Sequence, residues 1–256
     1  MSYNTVKFEP LGGGVGLLKL NRAERLNAIS VEMFKEIADV VKMIDNDSSI
    51  VAVIVKGEGD NFSSGLDFYD LFGYMESSKD FDLWAHIRFM QDTFLSVYNS
   101  EKIYIAAIDG YCLGAGLDLA SACDLRIATK RAKFSIAETK LGVVADLGVL
   151  QHLSRVLNEQ VVRYWAYTSR VFDAEEAYGV GLLLKVCGSE EELLGLSKSI
   201  AREIVSNPSK TVSNTKKVIN HSLYNSLEES LRFAGRMNLN IDGKELLERF
   251  RSNLKS

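Results

Sequence analysis

Three acids stand in apolar company: Asp118 in "LGAGLDLASA", Glu138 in "KFSIAETK" and Asp146 in "KLGVVADLGVLQHLSRV". An unpaired carboxylate is costly to bury, so each must find a partner, give up its charge or face a cavity. Carboxylates gathered in such a setting can be tuned for proton transfer by desolvation and mutual coupling. Each also has a plain structural reading. Asp118 suits the first turn of a helix and Glu138 a solvated strand end. Asp146 suits the N-cap of a helix with Leu147, Leu150, Leu153 and Val156 on one face.

Two glycine turns accompany the acids. "SSGLDF" follows the apolar run "IVAVIVKG", and "GYCLGAGLDLA" follows "IYIAAIDG". Glycine lets main-chain N–H groups approach a ligand closely, and the N–H groups at a helix start are free to donate. Two such turns could hold one oxyanion, although either alone reads as an ordinary strand-to-helix turn.

Periodicity supplies the elements that must position these residues. "TVKFEPLGGGVGLLKLNR" reads as a hairpin about Gly12, Gly13 and Gly14. Ser30 precedes a helix with Met33, Ile37, Val40, Val41 and Ile44 at helical spacing. The strand "IVAVIVKG", a long helix from Phe81 to Tyr98, the strand "IYIAAIDG" and a helix from Gly114 to Ala122 follow. Then come the strands "LRIAT" and "KFSIAE". This alternation gives an α/β class built of stacked, recurring units. Beyond Glu175, apart from the strand "LLLKVCG", the pattern is helical to the end, including "SLEESLRFAGRMNLNI" and "KELLERFRSNL". No linker-like stretch intervenes, so the division expected is a core over 1–195 and a helical region over 196–256.

Composition narrows the function. The 256 residues are 46% hydrophobic and 25% charged, as in a globular chain with a sizeable core. A net charge of −4 without a basic stripe argues against nucleic acid as a partner. Cys112, Cys123 and Cys187 form no CxxC pair and have no histidine at ligand spacing, so no metal site and a reducing compartment are expected. "MSYNTVKFEP" resembles neither a secretory nor a transit segment, and "NLKS" is not a peroxisomal signal, which leaves the cytoplasm. Ile103 to Cys123 is long enough to cross a bilayer but carries two aspartates and three glycines. Each mid-span Asp costs about 2.5–3.5 kcal/mol, so a buried strand, turn and helix is expected there and no membrane partner.

"NFSSGLD", "AAIDGYCLGAGLDLASACDLRIA" and "FSIAETKLGVVADLGVLQHLSRV", in that order, resemble the crotonase (enoyl-CoA hydratase/isomerase) superfamily over essentially the whole chain. The resemblance implies a spiral of ββα units with a C-terminal helical trimerisation region, as a homotrimer or a dimer of trimers. It implies acyl-CoA thioester substrates, with coenzyme A entering as part of the substrate and no separate cofactor. It also implies an enolate held by two main-chain N–H groups, which fall on Leu66 and Ala115, with Ser64, Gly65, Asp67 and Gly114 beside them. Many relatives have glycine where Ala115 stands. Leu26, Asn27 and Ala28 correspond to the region that meets the adenine end of coenzyme A, though a turn before a helix would look the same. Phe68, Tyr69, Phe72 and Tyr74 could line an acyl pocket or pack a short helix into the core.

In hydratases of this superfamily two glutamates activate water, and they correspond to Asp118 and Glu138. Aspartate at the first withdraws its carboxylate by about 1.5 Å, one C–C bond. Where hydratases usually carry glycine, this chain has Asp146. The trio Asp118, Glu138 and Asp146 is similar to that of the dienoyl-CoA isomerases of the superfamily, which move both double bonds of a 3,5-dienoyl thioester to give the 2,4-isomer. That reaction takes a proton from C2 and returns one to C6, too far apart for one short side chain. The alternatives are an enoyl-CoA hydratase using Asp118 and Glu138, and a non-catalytic CoA- or RNA-binding relative, against which the retained carboxylates and the acidic balance speak.

Overall fold

In the computed structural model, which describes residues 3–239 together with Gly243, Leu247 and Arg251, the glycine hairpin is formed by β1 (Val6–Gly12) and β2 (Val15–Leu20). Helix α1 (Val31–Asn46) starts where Ser30 predicts, the serine hydroxyl accepting the Met33 N–H at 3.1 Å. From its buried face Glu36 accepts the N–H groups of Thr5 and Val6 and so anchors the start of β1. Strand β3 (Ala52–Gly57) lies parallel to β2. Next come α2 (Phe68–Ser77) and α3 (Leu83–Asn99), the long helix, which Asp82 caps through the Ala85 N–H. The apolar stretch that imitates a membrane span folds as β4 (Ile103–Ile108), β5 (Tyr111–Leu113) and α4 (Ala115–Ala122). Among the described residues no helix is long and apolar enough to cross a membrane.

Strands β6 (Leu125–Thr129) and β7 (Lys133–Ser135) follow. The strand expected over "KFSIAE" stops early, because Ala137 takes a helical backbone (φ −87°, ψ −12°) and Glu138 opens a short 3-10 turn ending at Leu141. Glu138 is therefore not a solvated strand end. Helix α5 (Val149–Val156) begins after Gly148, so Asp146 is not its N-cap either, and Val156 is exposed. Two elements without a clear sequence signal, α6 (Glu159–Thr168) and β8 (Phe172–Asp173), precede α7 (Ala174–Gly179), β9 (Lys185–Cys187) and α8 (Glu190–Val205).

One sheet runs β1-β2-β3-β4-β6-β9, parallel from β2 onward, and a second runs β5-β7-β8. Residues on β3 and β4 are buried on both faces, as a covered parallel sheet requires. On one face Leu18, Val55 and Ala106 join the main core with Met33, Phe34 and Phe94; α8 packs against the same sheet. Each fully buried Val, Leu or Ile contributes about 1.5–3 kcal/mol, which holds the strand ends, and the turns that leave them, in place.

The chain divides into two compact units, residues 1–209 and 210–256. The expected boundary at 195/196 lies inside α8. In the second unit α9 (Ser209–Ser222) and α10 (Leu227–Met237) are joined by the Asn214 side-chain bond to the Met237 carbonyl and by stacking of His221 on Phe233. Ser226 and Glu229 form a capping box at the start of α10. Leu227 and Leu231 are exposed there. Most of the segment expected to form the last helix, "KELLERFRSNL", lies outside the described residues.

Candidate active site

Parallel strands deliver their following turns to one edge of a sheet, where ligands bind in open α/β folds. Here β3 and β4 deliver the two glycine turns, and a short parallel ladder aligns them. Phe62 N–H donates to the Asp109 carbonyl, Ser63 N–H to Tyr111 and Leu113 N–H to Ser63, at 2.7, 2.8 and 3.0 Å. Two residues on, Gly65 has φ +103°, a conformation that favours glycine. A Cβ there would lie 2.8 Å from the Leu113 carbonyl oxygen and 3.6 Å from the Ala115 nitrogen. The turns thus touch at the residues expected to donate. Gly116 lets α4 settle on Ser63, since a Cβ on it would stand 2.8 Å from the Ser63 Cβ.

Leu66 pairs with Ile29, whose N–H donates to Gly65 and whose carbonyl accepts from Asp67. That pairing uses the Gly65 carbonyl and the Asp67 N–H, on either side of Leu66, and leaves the Leu66 N–H out of the ladder. The Ala115 N–H opens α4 and has no intrahelical acceptor. Among the described residues neither N–H is spent on a protein acceptor. Two free donors on touching turns make a cradle for one oxyanion.

The three acids converge on this cradle. Glu138 Oε1 lies 3.1 Å from where a Gly114 Cβ would be, and its buried Oε2 has no hydrogen-bond partner. Asp118 is fully buried and accepts the Val149 N–H at 2.7 Å. Burial, then the Glu138 charge, holds its carboxyl well above the usual range, and Asp146 adds to the effect. Glu138 is raised by burial and, less, by Asp146. Asp146 as a whole is exposed, yet desolvation of its carboxyl pushes it up too. Mutual electrostatic influence of this kind places all three near one another, and no cation is paired with them among the described residues. Carboxyls raised in this way are suited to taking and giving protons.

The segment around Asp146 is set by alternation: Ala145 and Leu147 are buried, so Asp146 faces the other way. Leu26, Asn27 and Ala28 lie beside Ser64, Gly65 and Asp67, and their polar groups brace the turn. Asn27, buried with φ +53°, accepts from Arg22 N–H through Oδ1 and donates through Nδ2 to the Glu58 and Asn61 carbonyls. The Leu26 carbonyl accepts the Ser64 N–H. Arg22 bridges the Ala28 carbonyl and the Asp67 carboxylate at 2.6 and 2.9 Å, and Asp67 also caps α2. Arg22 carries no motif of its own in the sequence. Phe72 and Tyr69 are 54% and 90% exposed, so they are not core packing.

Comparison with known proteins gives the family and the fold. The model of the Enoyl-CoA hydratase/isomerase family matches residues 11–246. A mitochondrial Delta(3,5)-Delta(2,4)-dienoyl-CoA isomerase from Homo sapiens is 31% identical over 249 residues, covering 94% of this chain and 76% of the relative. A short-chain-enoyl-CoA hydratase from Clostridium acetobutylicum is 34% identical over 236 residues, covering 91% and 87%. The crystal structure of an enoyl-CoA hydratase from Bacillus anthracis superposes with a TM-score of 0.90 at 25% identity, covering 98% and 97%.

Proposed function

The chain belongs to the enoyl-CoA hydratase/isomerase family, and from that premise we propose that it converts 3,5-dienoyl-CoA to 2,4-dienoyl-CoA. The family's substrates are acyl-CoA thioesters, and relatives named for isomerisation and for hydration are similar to this chain to a like degree. The choice between them rests on Asp146, a third carboxyl desolvated beside Glu138 and Asp118.

In the proposed mechanism the thioester oxygen accepts the N–H groups of Leu66 and Ala115. Glu138, ionised, takes a proton from C2, and the electron pair moves onto the thioester oxygen and along the diene to C4 and C6. Asp146, protonated, donates to C6, leaving double bonds at C2 and C4. Proton exchange then resets the two acids. The reaction is a balanced proton shift, so it calls for no redox or metal cofactor beyond the substrate's own coenzyme A. Asp118, with one oxygen held by the Val149 N–H, supports the other two by position rather than moving a proton itself. That engagement also weakens the hydratase reading, in which Asp118 would have to handle water.

The enzyme is proposed to act as a trimer or a dimer of trimers in the cytoplasm; a monomer in light scattering at micromolar concentration would remove the assembly from the proposal. The activity is tested by offering purified protein a 3,5-dienoyl-CoA and a 2-enoyl-CoA side by side. The absorbance of a 2,4-dienoyl thioester should rise with the first. Hydration of the second without isomerisation of the first would replace this reading by the hydratase one.

A further inference from the structure

Asp146 has little around it to fix its direction. The preceding Leu141, Val143 and Val144 are exposed, Val144 by 73%, and Asp146 is exposed as well. Two polar anchors outside the segment hold it. On one side Asp118 of α4 holds the Val149 N–H. On the other, Gln91 of α3 donates from Nε2 to the main-chain carbonyl of Asp146 at 2.8 Å. Two turns further along α3, Tyr98 packs its ring on His152 at 4.6 Å, and His152 Cδ2 would stand 3.2 Å from a Gly148 Cβ. Helix α3 therefore steadies both the carbonyl of Asp146 and the glycine two residues beyond it.

We infer that Gln91 is a positioning residue for Asp146, setting the direction of its carboxylate by holding its carbonyl. The inference rests on the isomerase reading, since only there does the aim of Asp146 decide a proton transfer. With its carbonyl released, the exposed segment can shift, and the Cα and side chain of Asp146 shift with it. A misplacement of about 1 Å at a reacting group can cost about 10²-fold in rate. Gln91 lies on a partly exposed helix face, so its side chain can be changed without opening the core.

Gln91→Leu keeps a side chain of comparable bulk, one bond shorter, and removes the donor. With fold and melting unchanged by circular dichroism, kcat should fall about ten- to hundredfold while KM stays near the parental value. Hydrogen exchange at C2, the work of Glu138 and the oxyanion cradle, should continue. Combined with Asp146→Asn, the change should add little further loss, because both act on one step. Gln91→Lys, which restores a donor on an unbranched chain, should recover much of the kcat. A parental kcat in Gln91→Leu beside an impaired Asp146→Asn would overturn the inference alone, as would multiplicative losses in the double variant or equal loss of C2 exchange. A parental rate in Asp146→Asn would overturn the isomerase reading and this inference together.

Discussion

The carboxylate of Asp118 accepts the N–H of Val149 at 2.7 Å, so an acid on one helix caps the first turn of another whose own N-cap is glycine. Cap and proton chemistry compete for the same group. Burial and two neighbouring acids favour a neutral Asp118, while the Val149 N–H favours the charged form and is outweighed.

Asp118→Asn should therefore stabilise the fold at neutral and higher pH. The folded-state pKa of Asp118 lies above its unfolded value, near 3.9 for an ordinary Asp. Its favourable contribution is full below that value and is lost as pH rises through the folded one. Asparagine still accepts from Val149 and never charges. Thermal melts should put the variant a few degrees above the parent at pH 8, about 1 kcal/mol moving Tm by about 2–4 °C in a chain of this size. The gap should close toward pH 4, and a gap independent of pH would contradict the assignment.

Asp146→Asn keeps shape and hydrogen bonding but cannot titrate. Steady-state isomerisation should fall about 10²–10⁴-fold, the usual contribution of a general acid or base, with a much smaller change in KM. Exchange of the C2 hydrogen with solvent, followed by mass spectrometry, should persist.

Leu66→Ala should leave most activity intact, whereas Leu66→Pro deletes one donor of the cradle. Losing such a bond removes about 2.7–4 kcal/mol of transition-state stabilisation, or about 10²–10³ in kcat. Parental turnover in a folded proline variant would reassign the donor.

Gly116→Ala places a methyl group 2.8 Å from the Ser63 Cβ and 2.9 Å from the Ser63 carbonyl oxygen. Overpacking of this kind costs about 1–3 kcal/mol, and here it also drives apart the turns that carry Leu66 and Ala115. Denaturant melts should show the loss of stability, and kcat should drop further than stability alone explains.

The pH profile of kcat should be a bell displaced upward from the ordinary carboxylate range. Glu138 must be ionised, and its pKa is raised, so activity should fall on acidification at a pH above about 4.3, the usual value for Glu. Asp146 must carry its proton, so the alkaline limb reports its own raised pKa and should vanish in Asp146→Asn.

Local signals made much of this legible in the sequence. Ser30 before an apolar periodic run, the glycines of the hairpin and the two glycine turns each fix backbone geometry by themselves, and they stand where expected. Asp146 was ambiguous because an Asp before "LGVLQHLSRV" satisfies the local rules for a cap, while Gly148 and a carboxylate from α4 supply the actual one. Glu138 leaves its strand through the backbone turn at Ala137, which no residue type there demands. Gln91, 55 residues from the carbonyl it holds, and Arg22, 45 from the carboxylate it pairs with, left no pattern at all. Pairings across such distances are products of tertiary contact.

The parallel ladder between Ser63 and Cys112 separates inheritance of the enolate from inheritance of its fate. The donors it aligns are main-chain atoms, so substitutions at the acids leave them in place. On the function proposed, a lineage can then exchange Asp118, Glu138 or Asp146 one at a time and redirect where the proton returns, each intermediate sequence keeping the main-chain donors that would bind and polarise a thioester.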